Sequence, residues 1–166
     1  MRVEFKVNGK RHSVEIEAGE LLVETLRRLG YKSVKHACDT ASCGACSVQL
    51  DGLPVLSCRT FTAAVDGHEI TTVEGFSKEG SLSVVQSALL EEGAVQCGFC
   101  IPGLVVTAEA LLNENPEPTE EEIKTYLNGN LCRCTGYESQ TRAIKKAAEI
   151  RRNTVHTNVN VQGDGI

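Results

Sequence analysis

Apolar and polar residues alternate from the first positions of the chain. Val3, Phe5 and Val7 are separated by Glu4 and Lys6, and Val14 and Ile16 resume the alternation beyond Asn8-Gly9. A period of two broken by Asn-Gly predicts a β-hairpin with a tight turn. From Glu20 the period changes to that of a helix: Leu21, Leu22, Thr25, Leu26 and Leu29 share one stripe, and Gly30 closes it as a C-cap. A second hairpin follows, with Ser47 to Leu50 and Leu53 to Leu56 flanking Asp51-Gly52. Glu69 to Val73 makes one more strand before Gly75.

Beyond the polar, glycine-bounded stretch Phe76 to Ser81, taken as a domain boundary, the periodicity is helical throughout. Leu82, Val85, Leu89 and Leu90 mark one helix. Pro102 to Leu112 marks a second, with proline in its first turn. Thr119-x-x-Glu122 is a capping box opening a third through Ile123, Tyr126 and Leu127. Thr135-x-x-Glu138 is read as the cap of a fourth carrying Ala143, Ile144, Ala147 and Ile150. The polar tail over residues 152–166 has no clear period and is expected to be extended along a partner or disordered.

Between the first helix and the second hairpin lies a loop, residues 37–47, rich in Ala, Ser and Gly and without large apolar side chains. It holds Cys38, Cys43 and Cys46, and Cys58 follows at the end of the second hairpin. That spacing resembles the C-x4-C-x2-C of plant-type ferredoxins with a more distant fourth cysteine. Gly44 and Ala45, between two ligands, are expected to let the backbone wrap a compact cofactor and aim N–H groups at sulfur. In the helical half Cys97 and Cys100 are answered by Cys132 and Cys134, both pairs at loop-to-helix junctions, where free N–H groups favour negative charge. The eight cysteines thus divide into two sets of four. Buried free thiols would not fall into C-x2-C and C-x-C pairs within glycine-rich loops. Structural zinc is the serious rival, since Cys₄ zinc sites also use paired cysteines, although the C-x4-C-x2-C loop favours iron–sulfur. The fold class expected is α+β. Residues 1–76 form a β-grasp, plant-type ferredoxin-like domain, and residues 82–151 form a small four-helix-bundle domain binding a second cluster.

Composition narrows the setting. The chain has 166 residues, 41% apolar and 4% aromatic, with no tryptophan, which suits two modest cores stapled by metal better than one large core. A net charge of −5 without any basic stripe argues against a nucleic-acid partner. No secretory signal and no 18-residue apolar run is visible, so no membrane span is expected. The cytoplasm is the expected location, and its reducing conditions favour metal ligands over disulfides. His12, His36, His68 and His156 lack ligand spacing, though His36 stands beside the first cysteine loop. No dinucleotide fingerprint, phosphate loop or nucleophile elbow occurs, so no substrate site of the chain's own is expected.

Three segments, Cys38 to Cys46, Gln96-Cys97-Gly98-Phe99-Cys100-Ile101-Pro102-Gly103 and Gly129-Asn130-Leu131-Cys132-Arg133-Cys134-Thr135-Gly136-Tyr137, resemble the small iron–sulfur subunit of molybdenum hydroxylases. That family includes xanthine dehydrogenase, aldehyde oxidoreductase, carbon monoxide dehydrogenase and nicotinate dehydrogenase. The resemblance implies an outer [2Fe–2S] cluster on Cys38, Cys43, Cys46 and Cys58, facing a flavin. It implies an inner one on Cys97, Cys100, Cys132 and Cys134, close to molybdopterin, with Gln96 contacting the pterin and Cys134 beside its amino group. Electrons would leave a substrate site on a large molybdopterin subunit, one at a time, for FAD on a medium subunit, in a heterotrimer that pairs in some arrangements. A purine, another N-heterocycle or an aldehyde is the implied substrate. The alternative is a stand-alone ferredoxin or redox-sensing module without molybdenum. Ala37 stands where many members have glycine, and Gln140 where the family often has an apolar residue, which predicts poorer packing at the start of the last helix.

Overall fold

Strand β1 (Arg2–Val7) alternates exposed and buried residues along its length, and its buried side chains Val3, Phe5 and Val7 face the core. It pairs antiparallel with β2 (Lys10–Glu15), placing Val3 opposite Val14. The turn between them uses Asn8 and Gly9 at φ 51° and 78°, as a two-residue primed turn demands. Helix α1 (Leu22–Arg28) lays Leu22, Val23 and Leu26 against this sheet with no exposed surface left on any of the three. Strands β3 (Ser47–Leu50) and β4 (Leu53–Leu56) turn on Asp51 and Gly52, at φ 49° and 89°. Strand β5 (Glu69–Thr71) enters the middle, parallel to β1 and antiparallel to β3, giving the order β2-β1-β5-β3-β4. The computed structural model describes residues 1–77 and 80–160.

The second half is helical. Helix α2 (Val84–Glu91) opens on a Ser83/Gln86 capping box, and α4 (Glu120–Tyr126) on the Thr119/Glu122 box read from sequence. Helix α3 (Ile101–Glu114) is buried on every face from Gly103 to Leu112, as befits the central element of its unit. Its inner face joins Val85, Leu89, Ile123, Ile144 and Ala147 in one apolar cluster, while its other face packs on β3. There the buried Gln49 donates from Nε2 to the Val106 carbonyl at 2.9 Å. Among the described residues no helix is long and apolar enough to cross a membrane.

Three expectations differ from the structure. Strand β5 stops at Thr71, and a 3-10 turn, Val73–Phe76, packs Val73 and Phe76 against the helical cluster. Helix α5 (Glu138–Asn160) begins after Tyr137, held at φ 69°, so Thr135 lies too far upstream to cap it. The same helix runs to Asn160, through most of the tail expected to be extended or disordered. No glycine or proline interrupts it, and Arg151 and Arg152 tie it to Glu109, Asn113 and Glu117. Residues 161–166 of that expected tail lie outside the described residues.

Candidate metal centres

The first cysteine set sits where the sheet meets the helical half. Cys38, Cys43 and Cys46 lie between α1 and β3, and the β3–β4 hairpin returns Cys58 to them in a short 3-10 turn, Ser57–Arg59. Ser57 locks that return: its hydroxyl donates to the Cys46 carbonyl at 2.7 Å and its N–H to the same oxygen at 3.3 Å. The thiols stand in two facing pairs, Cys38 with Cys43 and Cys46 with Cys58. Cys43 and backbone N–H groups of Ser42, Cys43 and Thr40 donate to the Cys38 sulfur and bring its pKa down to about 6. Burial pushes Cys58 up to about 12, reinforced by Cys46. The N–H of Ala45 points at the Cys43 sulfur, although burial dominates and raises that thiol. His36 faces Asp39 across 3.8 Å at the edge of this loop.

The second set is built by the loops that lead into α3 and α5. Cys100 immediately precedes the first residue of α3, and Cys132 and Cys134 lie between α4 and α5. The pairs here are Cys97 with Cys134, whose sulfurs are 3.6 Å apart, and Cys100 with Cys132. The first pair is exposed and the second half-buried, so the set has an open and a closed side. Burial pushes Cys100 up to about 11. Burial also acts upward on Cys132, but the Thr135 hydroxyl and the N–H groups of Cys134 and Thr135 outweigh it and bring that thiol to about 7. Each set therefore contains one thiol poised to ionise near neutrality, and the thiolate is the form that binds metal.

Neither set closes around one point. Among the described residues no group of three or more His, Cys, Asp or Glu side chains is placed to hold a single metal ion. Two facing pairs of thiols, two ligands to each metal, fit a dinuclear group instead.

The two sets are joined. The Leu131 N–H, one residue from Cys132, donates to the Cys43 carbonyl at 2.9 Å. The buried Asn130 donates from Nδ2 to the Gly44 carbonyl at 3.4 Å. A Cβ on Gly103 would run into the Gly44 carbonyl oxygen, and one on Gly44, at φ 71°, into the Gly129 carbonyl oxygen, so the Gly44–Gly103 approach needs glycine at both positions. Lys35 closes the third side, donating to the Phe99 carbonyl at 3.1 Å with its ammonium 4.4 Å from the centre of the Phe99 ring.

This geometry coincides with two known families: residues 5–71 match the 2Fe-2S iron-sulfur cluster binding domain, and residues 72–145 the [2Fe-2S] binding domain. The chain is 43% identical over 148 residues to the nicotinate dehydrogenase small FeS subunit of Eubacterium barkeri, covering 89% of this chain and 94% of that one. It belongs to the iron–sulfur subunits of the molybdenum hydroxylases. The xanthine dehydrogenase iron-sulfur-binding subunit of Escherichia coli O157:H7 is 46% identical over 138 residues, 82% of this chain and 87% of its own. The crystal structure of quinoline 2-oxidoreductase from Pseudomonas putida 86 contains a chain that superposes with a TM-score of 0.87 at 38% identity, covering 92% of this chain and 96% of that one. As a molybdenum-hydroxylase iron–sulfur subunit, this chain is part of an oxidoreductase.

Among the residues singled out from sequence, all eight cysteines fall into the two sets as grouped, and Gln96 lies across the open side of the second, donating from Nε2 to the Cys134 carbonyl at 3.1 Å. Gly44 contributes through its closeness to Gly103 and Gly129, Ala45 through its N–H. Ala37 takes no positive φ; the non-glycine residue that does so in this loop is Ala41, at 56°. Gln140, expected to pack poorly, is 1% exposed. Sequence reasoning missed Lys35, Thr135 and Gln140 as neighbours of the sulfur sites. Their signal was proximity to a cysteine motif, which leaves side-chain direction open.

Proposed function

We propose that this chain is the electron-transfer subunit of a molybdenum hydroxylase, holding two [2Fe–2S] clusters between a molybdopterin-binding large subunit and an FAD-binding medium subunit. Held by these eight cysteines, [2Fe–2S] clusters would supply one-electron exchange with little ligand movement. Cys38 and Cys43 would share one iron of the outer cluster, and Cys46 and Cys58 the other. Cys97 with Cys134 and Cys100 with Cys132 would likewise hold the inner cluster as two pairs. The single observation that carries the reading is the Leu131 N–H to Cys43 carbonyl hydrogen bond, which makes one continuous route from a ligand of one set to a ligand of the other.

The chain's residues do the rest. The sheet order, with α1 packed across it, supports the β-grasp reading of the first unit, and helices α2 to α5 support a four-helix unit around the second set. The open side of the inner set, with Gln96, Cys97 and Cys134 exposed, suits approach of the pterin, Gln96 contacting it and Cys134 beside its amino group. Phe99, Leu131 and Tyr137, at 48%, 50% and 43% exposure and each adjacent in sequence or by hydrogen bond to a cysteine of the second set, offer apolar surface for the large subunit to cover. The relatives named for nicotinate, xanthine and quinoline support an N-heterocyclic substrate, a purine among them, and those named aldehyde oxidoreductase support an aldehyde equally. Cysteines committed to metal rather than to disulfides suit the cytoplasm.

The test is metal analysis and electron paramagnetic resonance on the natively purified complex. About four iron and four acid-labile sulfide per chain, two distinct [2Fe–2S] signals and molybdenum in a larger subunit are expected. Cys97→Ser and Cys132→Ser should each remove the inner signal alone and stop electron delivery from substrate to flavin. Full activity in either variant would overturn the assignment, and both clusters on a chain purified without molybdenum or partners would favour a free ferredoxin.

A further inference from the structure

Gln140 stands in the first turn of α5, 1% exposed. Leu104 and Leu127 border the same cavity of about 470 Å³, and the buried Ala143 and Ile144 follow it on the helix. A leucine would fill the position without burying any polar atom. The carboxamide buries two, and its Oε1 has no hydrogen-bond partner. Leaving such an atom unpaired costs stability. The polar contact drawn for this side chain is from Nε2 to the sulfur of Cys100, at 3.7 Å. Cys100 belongs to the half-buried side of the second set.

We infer that Gln140 tunes the inner centre, its N–H donating to the Cys100 sulfur and raising that centre's reduction potential. The inference rests on reading the second cysteine set as a [2Fe–2S] site. Reduction by one electron adds negative charge that spreads onto the ligand sulfurs. A donor aimed at one of them stabilises the reduced form more than the oxidised form, and the midpoint rises. The amide carries no charge, so the effect is independent of pH between about 5 and 9. It touches the inner centre, because the sulfur that Gln140 reaches, Cys100, belongs to the second set.

The experiment is a redox titration of the full, iron-containing subunit in its complex, followed by electron paramagnetic resonance, with Gln140→Met and Gln140→Leu beside the wild type. Methionine keeps the length and the burial without a donor; leucine removes the amide with less bulk. At a fixed ambient potential the ratio of reduced to oxidised inner centre should fall at least about threefold in both variants, equivalent to about 28 mV for one electron. The outer centre should not move. Pulsed measurements on the wild type should also resolve one exchangeable proton coupled to the inner centre that is lost in the methionine variant. An unchanged inner midpoint in both variants, or an equal shift of both centres, would overturn the inference. Lack of a second [2Fe–2S] signal in the wild type would instead remove the reading beneath it, and the inference with it.

Discussion

Lys35 is the residue on which both cysteine loops meet. Its N–H donates to the Ala45 carbonyl in the first loop, while its ammonium reaches the Phe99 carbonyl and ring in the second. A cation over an aromatic face at a partly exposed site contributes about 0.5–1 kcal/mol. Lys35→Met keeps the apolar stem and loses the charge. The expected outcome is a stability loss of that size with faster release of iron from the inner centre to a chelator, followed by visible absorbance; equal release rates would count against this role. Such contacts are hard to read from sequence, and Thr135 shows why. Thr135-x-x-Glu138 has the letters of a capping box, but Tyr137 at φ 69° delays the helix, and the hydroxyl turns to the Cys132 sulfur at 3.3 Å. The motif fixes residue types, while one backbone angle decides whom the side chain serves.

Elements were more legible than individual side-chain partners. Asn8-Gly9 and Asp51-Gly52 announced both hairpins because few residue pairs accept two positive φ values in succession. Thr119 and Glu122 announced α4 for a similar reason. Helix α5 was read too short. Its far half lacks a regular apolar stripe, and the missing clue was the lack of any glycine or proline from Glu138 to Gln162. What holds it there is polar: Arg151 pairs with Glu109, a carboxylate with 5% side-chain exposure on α3, and donates to Asn113 at 3.2 Å. Arg151→Ala would strand that carboxylate. A fully buried pair broken this way costs about 3–5 kcal/mol. Arg151 retains 26% side-chain exposure, so solvent screening brings the expected loss to about 1–3 kcal/mol. Chemical denaturation checks it, and an Arg151→Met, Glu109→Met double variant should recover most of the loss. A single variant as stable as the wild type would show that α5 is held by other contacts.

At the scale of the molecule, two cores are pressed together at a point where only backbone fits. Gly103, in the first turn of α3, pays the usual helical penalty of about 1 kcal/mol relative to alanine. Removing that penalty with Gly103→Ala would still destabilise, because the new methyl meets the Gly44 carbonyl oxygen and overpacking costs about 1–3 kcal/mol. The same variant should lengthen the Leu131 N–H to Cys43 carbonyl contact and slow the passage of electrons between the centres. Stopped-flow reduction of the outer centre, compared with thermal unfolding, would separate the two effects; an unchanged rate in a folded variant would show that the seam is not the route. The matched families divide the chain between residues 71 and 72, as if it were two interchangeable parts. The glycine seam says otherwise. A cysteine-loop domain grafted onto a different helical partner would need a bare backbone facing it at this one turn, so the two halves fit each other as a matched lock rather than as exchangeable modules.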